Sequence, residues 1–100
     1  VIQPLVRRHP SKKKPSLFLS PHTMINIKDY DKKKGRELLD QLIDHATQPH
    51  YVYKHSENNH DIVMWDNRCT MHSVEPFDNN NIKRIMHRVT LVGDLEPIMA

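Results

Sequence analysis

The chain has 100 residues, 37% hydrophobic and 27% charged, with a formal net charge of +3. No apolar run approaches the ~18 residues that cross a bilayer, and no signal-peptide pattern opens the chain, so a cytoplasmic protein without a membrane partner is expected. One cysteine, Cys69, excludes an internal disulfide and suits a reducing compartment. The charge is too slight to argue for nucleic acid. The length fits one small domain or a piece of a larger one. Because the first residue is Val1 rather than Met, a processed chain or a fragment is expected.

In chain order, Val1 to Arg8 reads as a short strand, and His9 to Pro15 as a basic, proline-bounded turn that is a solvated surface. Ser16 to Ser20 and then Met24 to Ile27 read as strands. The clearest helix runs from about Lys32 to about Thr47. Leu38, Leu39, Leu42, Ile43 and Ala46 fall on one stripe at helical spacing, Asp31 is the expected N-cap and Pro49 ends the segment. The pattern then changes to period two. His50 to His55, Asp61 to Asp66, Cys69 to Val74 and Arg84 to Val92 read as strands, the last closed by Gly93-Asp94. The fold class expected is mainly β with one covering helix, of the jelly-roll kind.

Alternate side chains of a strand share a face. Within Arg84 to Val92 this separates Arg84, Met86, Arg88 and Thr90 from the apolar Ile85, Val89 and Leu91. Two guanidinium forks, roughly 13 Å apart along such a strand, suit two anions or two ends of one site. Two solvated or structurally paired arginines fit the same spacing. His72 shares its face with Thr70 and Val74, and a hairpin between the last two strands would bring that face beside the arginines. On spacing alone His72 is a structural histidine more often than a metal ligand. The remaining histidines match no zinc spacing, Cys69 reads as a buried free thiol, and Trp65 reads as core beside the turn leading to His72.

The runs Trp65-Asp66-Asn67-Arg68-Cys69-Thr70-Met71-His72 and Arg84-Ile85-Met86-His87-Arg88-Val89-Thr90-Leu91, followed by Gly93-Asp94, resemble the C-terminal signature of the taurine dioxygenase (TauD/TfdA) family. Pro4 to Arg7, His9-Pro10, His45 to Pro49 and Asp61 to Trp65 resemble it in the same order. The resemblance covers nearly all of residues 1–100, read as the C-terminal part of one dioxygenase domain, the end of a double-stranded β-helix whose N-terminal part is absent. It implies an Fe(II)- and 2-oxoglutarate-dependent dioxygenase that uses O2 to hydroxylate a small anionic substrate, taurine or a related sulfonate first and a carboxylate next. His72 matches the distal histidine of the iron triad, Arg84 the arginine on the far carboxylate of 2-oxoglutarate, and Arg88 a substrate-anion arginine. No catalytic side chain beyond the metal ligand is implied, and relatives are commonly oligomers.

Two departures bear on activity. The family's His-x-Asp pair does not occur in this sequence, and His55-Ser56-Glu57 stands too near the Trp65 block to replace it. The segment Ser20-Pro21-His22-Thr23 stands where relatives often place an aromatic near the substrate. The 100-residue piece alone is therefore expected to be inactive. The alternative is a catalytically incomplete jelly-roll fragment that binds an anionic ligand or partner through Arg84 and Arg88.

Overall fold

A computed structural model of the protein describes residues 1–93 and residue 99. In chain order its elements are a strand β1 (Val6–Arg8), a strand β2 (Pro15–Leu17), a helix α1 (Lys32–Ala46) and a single 3-10 turn (Pro49–Tyr51). The described chain is thus mostly non-helical, with one two-stranded sheet and one helix.

The sheet is an antiparallel hairpin in which Val6 faces Leu17, Arg7 faces Ser16 and Arg8 faces Pro15. Its basic turn closes on itself. The His9 amide donates to Lys14 O at 2.9 Å and the Lys13 amide to His9 O at 2.8 Å. The imidazole of His9 folds back over this turn, and its Nδ1 accepts the amides of Ser11 and Lys12 at 3.2 and 3.1 Å. Lys13 takes a left-handed backbone, φ 59°, which costs a residue bearing a Cβ about 1 kcal/mol. The turn lysines are exposed as expected. Arg7 instead lies over the Phe18 ring, 3.3 Å from its centroid, and this partial burial lowers its pKa from the usual guanidinium value. Arg7 also forms an isolated antiparallel bridge with Met99.

The helix forms where its periodicity places it. The Asp31 carboxylate caps it by accepting the Lys34 amide at 3.0 Å. The stripe Leu38, Leu39, Leu42, Ile43 and Ala46 is buried or half-buried. Leu39, 2% exposed, forms the small core with Leu19, 7% exposed. Gly35 is buried because the helix meets the preceding segment closely. A Cβ there would collide with the Asn26 side chain and approach Ile27 N at 3.6 Å. Arg36 reinforces the approach by donating to Met24 O at 3.2 Å and pairing with Asp40. Thr47 closes the last turn through Ile43 O, and Pro49 begins the 3-10 turn.

The period-two half of the chain behaves differently. Met24 to Ile27, His50 to His55, Asp61 to Asp66, Cys69 to Val74 and Arg84 to Val92 are not strands among the described residues, and no hairpin joins the last two. Asp94 of the expected closing pair lies outside the described residues. Alternation states which face a strand would bury, but a strand exists only when its amides and carbonyls find a neighbouring strand. Here that neighbour is missing, and the apolar face stays open. Ile62 is 96% exposed, Met64 90% and Leu91 85%. Cys69, expected to be buried, is also exposed. It sits in the turn that follows Asp66 rather than in a packed strand.

The cap offers a local test. Replacing Asp31 with Ala should weaken the first helical turn by about 1 kcal/mol. Amide hydrogen exchange would read this as a severalfold faster rate at Lys34, with the rate at Leu42 unchanged.

Candidate functional site

The segment Trp65 to His72 folds into a turn by bonding to itself. The Asp66 carbonyl accepts the Cys69 amide at 3.2 Å, the Thr70 amide at 3.1 Å and the Thr70 hydroxyl at 2.7 Å. Trp65 Nε1 donates to Asn67 Oδ1 at 2.9 Å, which fixes the indole. The chain then returns so that the His72 ring lies 4.6 Å from the Trp65 ring, centroid to centroid, at 43°. The spacing from Trp65 to His72 therefore has a physical meaning. It is one tight turn that sets an imidazole against an indole.

The carboxylate of Asp66 ties this turn to the hairpin. Arg68 grips it with a fork, Nε to Oδ1 at 2.8 Å and Nη2 to Oδ2 at 2.6 Å. The Arg68 amide adds a bond to Oδ1 at 2.9 Å, and His9 Nε2 reaches Oδ2 at 3.1 Å. These donors, Arg68 first, hold the Asp66 carboxyl far below the ordinary carboxylate range.

His72 opens onto a cavity of about 330 Å³, with Phe18 to His22 on one wall and Asn67 and Thr70 to His72 on the other. The wall from Phe18 to His22 is the part of the site that periodicity missed. Those residues read as strand and breaker, and only the fold lays them beside His72. Neither Arg84 nor Arg88 lines this cavity. Arg84 holds Glu57 instead, with Nε to Oε2 at 3.2 Å and Nη2 to Oε1 at 3.1 Å, and its guanidinium lies 5.8 Å from the Phe77 ring. Arg88 is exposed. Glu57 is thereby engaged as an ion-pair partner, and His55 is engaged by Asp61 at 3.1 Å.

A three-donor iron site needs three inward donors on one side of the metal. Among the described residues no group of three possible ligands includes the exposed imidazole of His72, so on their own they do not supply a closed iron site. The one group of three possible ligands among the described residues is His9, Asp66 and Cys69, whose donor atoms lie within 4.8 Å of one another. Its hydrogen bonds argue against a metal. With His9 Nδ1 accepting two amides, the ring proton belongs on Nε2, facing Asp66. No lone pair then points at the carboxylate.

A family model described as taurine catabolism dioxygenase TauD, TfdA family, matches residues 1–90. Among individual proteins, the chain is similar to an alpha-ketoglutarate-dependent 2,4-dichlorophenoxyacetate dioxygenase of Burkholderia sp. (strain RASC), at 40% identity over 90% of this chain and 30% of that protein. It is similar to an (S)-phenoxypropionate/alpha-ketoglutarate-dioxygenase of Sphingobium herbicidovorans, at 39% identity over 93% of this chain and 32% of that protein. It is also similar to pentalenolactone F synthase of Streptomyces arenae, at 34% identity over 93% of this chain and 31% of that protein. The chain thus spans about 30% of the length of the curated relatives it matches. No solved structure matches. No helix among the described residues is long and apolar enough to cross a membrane.

The ionic clasp has a definite pH signature. A carboxyl whose folded pKa is depressed contributes stability that is complete above its unfolded value and is lost as pH falls through the folded one. The Asp66 part of the stability should therefore show as a drop in the urea unfolding midpoint that begins only below about pH 4. In Asp66→Asn the drop should be present at neutral pH.

Proposed function

Since the chain belongs to the TauD/TfdA family, we propose that the complete protein is an Fe(II)- and 2-oxoglutarate-dependent dioxygenase acting on a small anionic substrate. The observation that carries this reading is the Trp65 to His72 turn, which aims an imidazole into a cavity, in a segment that the family model covers. Bound Fe(II) with 2-oxoglutarate supplies O2-driven hydroxylation of a C–H bond, with succinate and CO2 as co-products.

This chain's own residues divide the remaining work. His72 is the one metal donor, and Trp65 limits its rotation. Arg84 takes the far carboxylate of 2-oxoglutarate. Its grip on the Glu57 carboxylate supports the role, because the same planar fork fits any carboxylate. Arg88, exposed and four residues further along the chain, takes the substrate anion. The expected jelly roll belongs to the complete protein, where the alternating segments from His50 to Val92 would find neighbouring strands and turn both arginines toward one pocket.

On substrate, taurine gains no support from the relatives, two of which are named for aryloxyalkanoates. A carboxylate of that class is the better first choice, with a sulfonate second. The competing reading is a catalytically incomplete fragment that binds an anion through Arg84 and Arg88. A specific observation in its favour is that no group of three possible ligands among the described residues includes His72.

Succinate release by the complete protein, assayed against a panel of aryloxyalkanoates and sulfonates, separates the two readings. Turnover with any member supports the enzyme, and anion binding without Fe(II)-dependent turnover supports the fragment. Arg84→Ala should raise the KM for 2-oxoglutarate about 10- to 100-fold, the worth of a charge-assisted hydrogen bond. Arg88→Ala should raise the substrate KM while leaving that for 2-oxoglutarate near its original value. Wild-type behaviour in both variants would remove these roles.

A further inference from the structure

The hairpin turn and the Trp65 to His72 turn are joined through one side-chain pair distant in sequence. His9 Nε2 meets Asp66 Oδ2 at 3.1 Å, the two residues standing 57 positions apart. The remaining side-chain bonds of the second turn reach four residues or fewer. His9 is a well-made connector. Its side chain is only 12% exposed. Its Nδ1 is occupied by the amides of Ser11 and Lys12, so its orientation is set by the hairpin and its Nε2–H is directed outward as a donor. Asp66 receives that donor while its other lone pairs are held by Arg68. Two rigid turns therefore meet at one carboxylate, and the cavity wall from Phe18 to His22 continues directly from the hairpin strand that follows the His9 turn.

We propose that His9 is a positioning residue for the site. Through Asp66 it fixes the Trp65 to His72 turn against the Phe18 to His22 wall, and so sets where the His72 imidazole stands. The consequence for metal binding rests on the functional reading above; the positional consequence does not. Neither His9 nor Asp66 bonds directly to His72, whose ring contact is with Trp65, so His9 acts through the position of the turn. Without His9 the turn keeps its local bonds but loses its anchor, so His72 samples more positions relative to the wall.

The test uses the complete protein and the variants His9→Ala and His9→Gln. Glutamine keeps an amide N–H able to donate to Asp66, whereas alanine does not. His9→Ala should speed amide exchange at Cys69 and Thr70 severalfold and weaken Fe(II) binding, measured by equilibrium dialysis, by more than twofold. His9→Gln should recover most of both. A purely structural histidine would lower the melting temperature in both variants alike and show no such recovery. Should His9→Ala fail to fold, Arg68→Gln, on the exposed side of the same carboxylate, is measured instead, with the same direction expected. Fe(II) affinity and Cys69 exchange within twofold of wild type would overturn the proposal. A wild-type protein that binds no Fe(II) would instead sink the functional reading, and the exchange rates would still decide the role of His9.

Discussion

One hydrogen bond between an imidazole and a carboxylate carries the tertiary organisation around the site. His9 and Asp66 lie 57 positions apart, and each is first organised by its own neighbours. The imidazole is oriented by two amides of its turn, and the carboxylate is gripped by the arginine two residues on. Because both partners are pre-arranged, little conformational entropy remains to be lost when they meet. That is why a contact between two turns can persist where the buried apolar residues, among those described, are Leu19 and Leu39.

The same contrast explains the division of the chain. Up to about residue 51, order arises largely from interactions that short stretches complete by themselves: a hairpin closed by its turn, a helix with its cap, and the close approach of that helix at Gly35 to the segment just before it. Beyond it, order arises only in turns. Asp66 organises Cys69 and Thr70, and Asp78 accepts the amides of Asn80 and Asn81. The apolar residues between those turns face solvent. Exposed alternating stretches such as Ile62 to Trp65 and Ile85 to Leu91 are what strands look like when no neighbour accepts them. The chain spans about 30% of the length of the relatives it matches.

For the site, the consequence is unequal. His72 stands in its turn beside Trp65 because the block from Trp65 to His72 is self-contained. Arg84 and Arg88 lie outside any strand among the described residues, and Arg84 pairs with Glu57. An arginine fork desolvates favourably only against a matched anion. Glu57 and the carboxylate of a ketoacid are chemically the same partner to it.

The sequence by itself determined what depends on neighbours a few residues apart: the helix with its Asp31 cap and apolar stripe, the basic turn of the hairpin, and the family signature around Trp65 and His72. Helical and turn hydrogen bonds close within about four residues, so their pattern is written locally. Only the tertiary structure decided that His9 would anchor Asp66, that Phe18 and Leu19 would join the Ser20 to His22 stretch, already placed near the substrate by the resemblance, in walling the cavity at His72, and that Cys69 would be exposed. These are matters of distance between remote segments, and the alternation of a strand names its buried face without naming the neighbour that buries it.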